Sequence, residues 1–379
     1  MIMSPLGAFL MPALRITPAQ FGLAVSCYAF SAGISGFLAA GFADRFDRKS
    51  LLIFFYVGFL IATFLCGIAW TYPFLIFART LTGIFGGVIG SIVLAIVADL
   101  FPFQMRGRVM GYVQTAFAAS QILGLPLGLF LANHWGWHAP FMMIAAVSAM
   151  VGMLILKFLQ PINSHLQNKI DQNAVHHLIA TATNRQYLVA FAATALLTTG
   201  GFMLMPFSSA FTVHNMEISL EHLPFVYFAT GVSAIFFGPL IGKISDSFGQ
   251  YKTFVAGTIL TIFMVVIYTN LGSTPLIVVM IVNIVLFSGI FSRMIPAQAL
   301  NSAVPSTDQR GAFMAVSSSL QQVSGGFASI IAGTVVKEEP GGRLLHFDIL
   351  GYIMVGIALT TAALMYFVDK NVKNNKGPQ

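Results

Sequence analysis

Residues 50–78 read SLLIFFYVGFLIATFLCGIAWTYPFLIFA, a run without a single Asp, Glu, Lys or Arg. An α-helix rises 1.5 Å per residue, so roughly 20 apolar residues cross the ~30 Å hydrocarbon layer of a bilayer. The run is too long for one crossing and breaks at the turn signal around Thr71 and Pro73. It therefore predicts one span near 50–70 and the start of another near 72–99. Similar charge-free runs occupy 16–43, 80–98, 109–156, 186–216, 253–292, 311–336 and 349–368. Divided at turns and charges, they add spans near 19–42, 109–132, 139–158, 187–211, 223–243, 253–270, 275–300, 311–335 and 348–368.

Of the 379 residues, 57% are hydrophobic and 8% charged, far below the roughly 25% charge of soluble domains, so a water-soluble fold is excluded. A membrane β-barrel would show ten-residue segments of alternating polarity, which are absent. The expected fold is therefore all-α and polytopic, with backbone groups satisfied inside helices. The two cysteines, Cys27 and Cys66, lie in apolar runs and read as inert thiols. The net charge of +7 does not point to nucleic acid, because the basic residues sit in short connections between spans. Fourteen of the 19 Lys and Arg fall in one alternating set of connections and three, Arg15, Lys337 and Arg343, in the other. By the positive-inside rule, the long 161–186 connection and the Lys-rich tail face the cytoplasm, and so does the N-terminus of an even-numbered bundle.

The chain repeats internally. Asp44 follows the second span of a twelve-span count and Asp246 the eighth, 202 residues apart. Arg106-Gly107 precedes the fifth span and Arg310-Gly311 the eleventh, 204 residues apart. Two six-helix bundles related by a pseudo-two-fold axis are expected, a transporter architecture with its substrate site between the halves. The corresponding domains are 1–160, the interdomain loop 161–186, 187–370, and the tail 371–379. Residues 1–14 are too short to cross and match the outer end of a first helix, so by this period the sequence is expected to begin inside helix 1, with a natural eleven-span protein carrying an extracellular N-terminal stub as the alternative.

The residues after the second span, Asp44-Arg45-Phe46-Asp47-Arg48-Lys49, resemble the signature loop of the major facilitator superfamily, Gly-x-Leu-Ala-Asp-Arg-x-Gly-Arg-Arg/Lys. They depart from it at Ala40, which precedes Gly41, and at Asp47, a residue type that tolerates left-handed backbone where the family has glycine. In the second copy Gly242, Asp246 and Gly249 all match. The resemblance implies a gating charge cluster of Asp44, Arg48 and Asp99, with Arg45, Lys49, Arg106, Asp246 and Arg310 around it. For Arg45 and Lys49, plain anchoring at the interface is the favoured reading. Arg79-Thr80-Leu81-Thr82-Gly83-Ile84-Phe85-Gly86-Gly87 is similar to the family's helix 4 pattern Arg-x-x-x-Gly-x-x-Gly, which implies a role for Arg79 in proton coupling. Gly124-x-Pro126-x-Gly128 is similar to a degenerate form of the antiporter kink in helix 5. The branches most like this chain are the twelve-helix drug/proton antiporters and the sugar-efflux proteins.

Arg79 lies about 7 residues into its span, where an unpaired charge is costly; it either meets a partner or watery cavity or snorkels outward. Arg293, some 18 residues past Pro275, either snorkels to the cytoplasmic side or contacts substrate. Tyr28, Gln114, Gln121, Asn283, Gln298, Gln321 and Gln322 are the other polar candidates for lining a cavity, helix-to-helix hydrogen bonding being the alternative. With 36 Phe and 18 Met they suggest an apolar cavity with sparse polar anchors, suited to amphipathic organic molecules. No phosphate-binding loop, metal-ligand spacing or paired catalytic carboxylates occur, so no ATP, metal, cofactor or enzymatic activity is expected. The expectation is a monomeric secondary transporter of a bacterial inner membrane, in contact with the lipid bilayer and a small organic substrate. It exports drugs or sugars against a proton gradient, with an importer or uniporter as the alternative and a receptor or enzyme as a distant one. All twelve acidic residues fall in loops or at helix ends, so no midplane carboxylate carries the proton.

Overall fold

The computed structural model describes residues 2–39, 43–100, 119–163, 174–305 and 309–376, with Met105 and Val109. The first half contains α1 (Gly7–Leu14), α2 (Pro18–Ala39), α3 (Arg48–Gly67), α4 (Tyr72–Leu100), α5 (Leu125–Trp135) and α6 (Ala139–Phe158). After α7 (Ala174–Thr183) come α8 (Arg185–Leu204), α9 (Ser208–His214), α10 (Leu223–Phe248), α11 (Gln250–Thr269), α12 (Leu276–Ser302), α13 (Arg310–Val335) and α14 (Phe347–Lys376). A two-residue-wide antiparallel hairpin, β1 (Lys337–Glu338) with β2 (Leu344–Leu345), precedes α14. Among the described residues, nine helices are long and apolar enough to cross a membrane. The span expected at 109–132 is described only from residue 119. The span expected at 311–335 is α13, long enough to cross but interrupted by Ser317-Ser318-Ser319-Leu320-Gln321-Gln322-Val323-Ser324-Gly325-Gly326.

Helix pairing repeats with the period read from the sequence. In the first half α2 and α3 pack on α4, and α3 packs on α6. Moved along the chain by about 203 residues, these become α10 and α11 on α12, and α11 on α14, all of which are in contact. Two seams join the halves, α2 with α13 and α5 with α10. The same shift exchanges them, as a pseudo-two-fold axis requires.

The α2–α13 seam is built from backbone approaching backbone. A Cβ on Gly22 would sit 2.4 Å from the Ser329 carbonyl oxygen, and one on Gly333 would sit 2.7 Å from the Pro18 oxygen. The Ser26 hydroxyl lies 2.7 Å from both the Gly22 carbonyl of its own helix and the Gly326 carbonyl across the seam. In a membrane, where apolar side chains gain nothing by leaving lipid, such small-residue packing and hydrogen bonding hold helices together. Part of the polar run of α13 is thus accounted for, since Ser319, Val323 and Gly326, with Ser329 and Gly333 beyond it, face α2.

At the hairpin end one apolar cluster crosses both halves, combining Leu6, Phe21, Leu75 and Phe141 with Phe207, Phe211, Phe347 and Leu350. The Phe21 and Phe207 rings meet edge to face across it, 5.8 Å apart. Polar tethers cross here too: Asn133 donates to the Leu220 carbonyl at 2.6 Å, and Ser209 donates to the Ser4 carbonyl at 3.3 Å. At the opposite end the apolar core of the described residues is divided. Leu51, Phe55 and Ile92 belong to a first-half cluster, and Phe191, Phe254 and Phe313 to a second-half cluster on which Phe37 of α2 leans. The molecule is sealed at the hairpin end.

Gly22→Ala and Gly333→Ala place a methyl against backbone that no rotamer change can clear. On a cysteine-free background, spin labels at Thr17 and Lys337 should move apart and their distance distribution broaden in either variant; unchanged distances would show that the seam does not depend on these glycines.

Candidate functional site

Three residues of α4 spaced by one helical turn, Arg79, Gly83 and Gly87, share the face turned to α2. The glycines let the helices touch: a Cβ on Gly83 would lie 2.5 Å from the Tyr28 carbonyl oxygen, and one on Gly87 would lie 2.3 Å from that of Ala32. The approach delivers partners to Arg79, which is 7% exposed. Its Nε donates to the Ala24 carbonyl at 3.4 Å, and its guanidinium carbon stands 4.7 Å from the Tyr28 ring centroid. No described acid joins it. Arg79 therefore does not snorkel; it is buried against α2 and satisfied only by a carbonyl and an aromatic face. Beside it Cys66 contacts the Thr82 hydroxyl at 3.5 Å, and among the described residues no His, Cys, Asp and Glu group could hold a metal ion.

The charge cluster lies at the far end of α4. Arg48, 5% exposed, pairs with Asp99 at 2.9 Å through Nε and donates to the Ala43 carbonyl at 3.2 Å through Nη1. Lys49 reaches the Leu156 carbonyl at 3.2 Å in the last turn of α6, where a cation complements the helix dipole. Arg45 is exposed. Arg106 and the side chains of Asp44 and Arg310 lie outside the described residues. Asp246 is exposed on α10 and makes no ion pair among the described residues.

Asp47 corrects the sequence reading. Its φ of −55° is not left-handed, so it does not imitate glycine. It is the N-cap of α3, accepting from Ser50 N at 2.8 Å and the Ser50 hydroxyl at 2.9 Å. Its other oxygen accepts from Ile162 N at 2.7 Å, while Arg48 N returns a bond to the Ile162 carbonyl at 3.1 Å. An Asp three residues before Ser50 at the start of an apolar run is a capping signal that could have been read. In the second copy Gly249 does take the positive φ, +95°, between α10 and α11.

The expected kink appears as a π-helical turn, Ser120–Gly124, running into α5 with Pro126 in its first turn. Proline supplies no N–H to the ladder, which the wider turn accommodates. Gly128 leaves room for Ile2, whose Cδ1 would lie 2.3 Å from an added Cβ. Tyr28 is half-buried against Arg79, Gln298 and Gln321 are exposed, and Asn283 is buried with its amide bonded to the Val279 carbonyl of its own helix. Gln114 and the side chain of Gln121 lie outside the described residues. Arg293 is 2% exposed, enclosed in the second half rather than snorkelling.

A family model described as Major Facilitator Superfamily matches residues 1–329 and 190–379. An MFS-type transporter of Bacillus subtilis (strain 168) is 27% identical over 263 residues, 68% of this chain and 66% of the relative, just under two thirds of its length. Multidrug resistance protein 1 of the same organism is 24% identical over 94% of this chain and 90% of its own. Among solved structures, a bacterial homologue of the human lysosomal transporter Spinster in an inward-facing, unoccupied conformation superposes with a TM-score of 0.79 at 15% identity. That superposition covers 98% of this chain and 93% of the other, a likeness of fold.

Asp47→Ala removes the helix cap and the acceptor for Ile162 N, at a cost of about 1–3 kcal/mol. Its thermal midpoint in detergent should fall, whereas Asp47→Asn, which still caps, should lie close to the parent; an Ala variant as stable as the parent would refute the role.

Proposed function

Because this chain belongs to the Major Facilitator Superfamily, we propose that it is a secondary active transporter that exports small organic molecules by alternating access in exchange for protons. The hairpin end, with its cross-half seal, is taken as the extracytoplasmic side, in agreement with the placement of basic residues at the other end. The structure is then read as inward-facing. The bacterial inner membrane is the assigned location and the monomer the working unit.

The observation that carries the coupling assignment is the double use of α2. Ala24 and Tyr28, one turn apart, face Arg79 on α4. Gly22 and Ser26, also one turn apart, face α13 across the seam. A rocking motion that slides α13 over α2 acts on a helix whose other face is the wall of the Arg79 site. The charge there rests on a 3.4 Å carbonyl contact and a ring face, weak partners that a proton-linked anion or water can displace. Coupling through Arg79 follows from these contacts and from the helix 4 pattern. Efflux is favoured over import by the kink sequence around Pro126, seen as a π turn at the α5–α10 seam, and by the similarity to multidrug resistance protein 1.

In proteoliposomes with an acidic lumen, substrate uptake should exceed that without a gradient. Arg79→Ala should reduce gradient-driven uptake about tenfold or more, the weight of one charge-assisted interaction, with an unchanged thermal midpoint. Indifference of the parent to the gradient would sink the antiport assignment, and full activity of the variant would remove Arg79 from it.

A further inference from the structure

Arg293 sits in α12, nine residues before its end at Ser302, with its guanidinium inside the second-half bundle. Its carbon stands 5.7 Å from the ring centroid of Phe254, itself fully buried, and Ala297, one turn on, is fully buried as well. Both belong to the apolar cluster that also holds Phe191 and Phe313. In these surroundings Nε and Nη2 are buried and meet no acceptor among the described residues.

The identity of the two unmade donors matters. Nε–H and one N–H of Nη2 lie on the same edge of the planar guanidinium and point in parallel, forming the fork that grips both oxygens of a carboxylate. A buried cation with two unmade donors costs free energy, which an arriving anion recovers. Within the chain, the buried acid among the described residues is Asp369, already bonded to Lys373 in the last turns of α14. Asp246 is exposed.

We propose that the Nε/Nη2 edge of Arg293 receives a carboxylate of the transported molecule, so that the cargo is an amphipathic organic acid. This deepens the transport reading and rests on it for the ligand being cargo. A single guanidinium matches a singly charged carboxylate, whereas a phosphate dianion would leave one charge unanswered. The apolar walls, Phe254 above all, suit a ligand with an aromatic or aliphatic body rather than an inorganic ion. Arg293 also lies toward the end of the molecule where the apolar core is divided between the halves, the end from which an exporter loads.

Binding can be measured on purified protein in detergent, with no gradient, so its outcome is separate from that of proton coupling. The probes are 4-phenylbutyrate and decanoate, each paired with its primary amide, and the readouts are thermal shift and titration calorimetry. The acids should raise the thermal midpoint of the parent and the amides should not. Arg293→Gln should lose the preference for the acids, with a ligand-free midpoint at or above that of the parent, because an unpaired buried charge has been removed. Arg293→Lys, which keeps the charge and loses the fork, should bind the acids about tenfold more weakly. Equal shifts by acids and amides in the parent would overturn the proposal. So would an acid preference that survives in Arg293→Gln. Equal shifts in the parent together with a transport defect in Arg293→Gln would instead assign the fork to a carboxylate of the chain itself in another conformation. A failed gradient experiment with acid-selective binding intact would remove proton coupling and leave the cargo assignment standing.

Discussion

The closeness of α2 to two neighbours at once constrains everything else in the molecule. Gly83 and Gly87 bring α4 onto one side of it, and Gly326, Ser329 and Gly333 bring α13 onto the other. Side chains larger than a hydrogen at Gly22, Gly87 or Gly333 would collide with backbone atoms, and one at Gly83 with the Ser31 hydroxyl as well as the Tyr28 carbonyl. The helix is thus held by van der Waals contact and a shared hydroxyl, interactions that cost little to slide and much to separate. A helix so held can slide along the second half without separating from it. Alternating access needs those two properties from a seam.

The second constraint is electrostatic. A charge at the centre of a membrane-spanning helix costs about 2.5–3.5 kcal/mol on insertion scales, and paired or watery surroundings reduce the cost. At the divided end of the molecule Arg48 follows the usual solution, an ion pair with Asp99. Deeper in the bundle Arg79 and Arg293 do not. Arg79 has a carbonyl and the Tyr28 ring, and Arg293 has the Phe254 ring and two empty donors. The two deep cations occupy equivalent helices of the two halves, α4 and α12, yet differ in depth. Arg79 stands seven residues after Tyr72, whereas Arg293 stands seventeen after Leu276. The positions that the repeat relates are instead Arg79 and the neighbourhood of Asn283, which is buried and bonded within its own helix. Duplication therefore supplied the scaffold, and the charged positions diverged on it.

Much of this was legible in the sequence because a bilayer imposes a coarse rule. Charge-free runs placed most of the spanning helices to within a few residues, although α14 runs eight residues past the expected end and the span read at 187–211 is broken into α8 and α9; the offsets between Asp44 and Asp246 and between Arg106 and Arg310 match the period at which helix pairs recur. The depth of Arg79 in its span leaves burial and snorkelling both open, and its contacts with Ala24 and Tyr28 decide for burial. Less legible were features set by partners distant in sequence. The polar run Ser317–Gly326 looks ill-suited to a membrane until α2 is laid against it. Asp47 looked like a substitute for glycine because the loop was compared with a motif, whereas the bond to Ile162 N, 115 residues away, shows what it does. The Phe254 ring beside Arg293 and the unmade bonds of its Nε and Nη2 among the described residues are tertiary features that no single helix reveals.

The two copies of the signature loop make the last connection. In the second copy Gly249 ends α10 and begins α11 by backbone conformation alone, and Asp246 stands exposed. In the first copy the same turn is stitched: Asp47 caps α3 and holds Ile162, Lys49 reaches the end of α6, and Arg48 pairs with Asp99. The described partners in that network lie in the first half and, at Ile162, at the start of the connection that leaves it. These bonds stiffen the first half at its far end. The helix they fix is α4, which carries Asp99 at one end and, twenty residues earlier, Arg79. With α4 clamped in this way, motion of α2 along the seam cannot be relieved by α4 following it. The displacement falls on the contacts between Arg79, Ala24 and Tyr28, the weakest link between a rigid body and a sliding one.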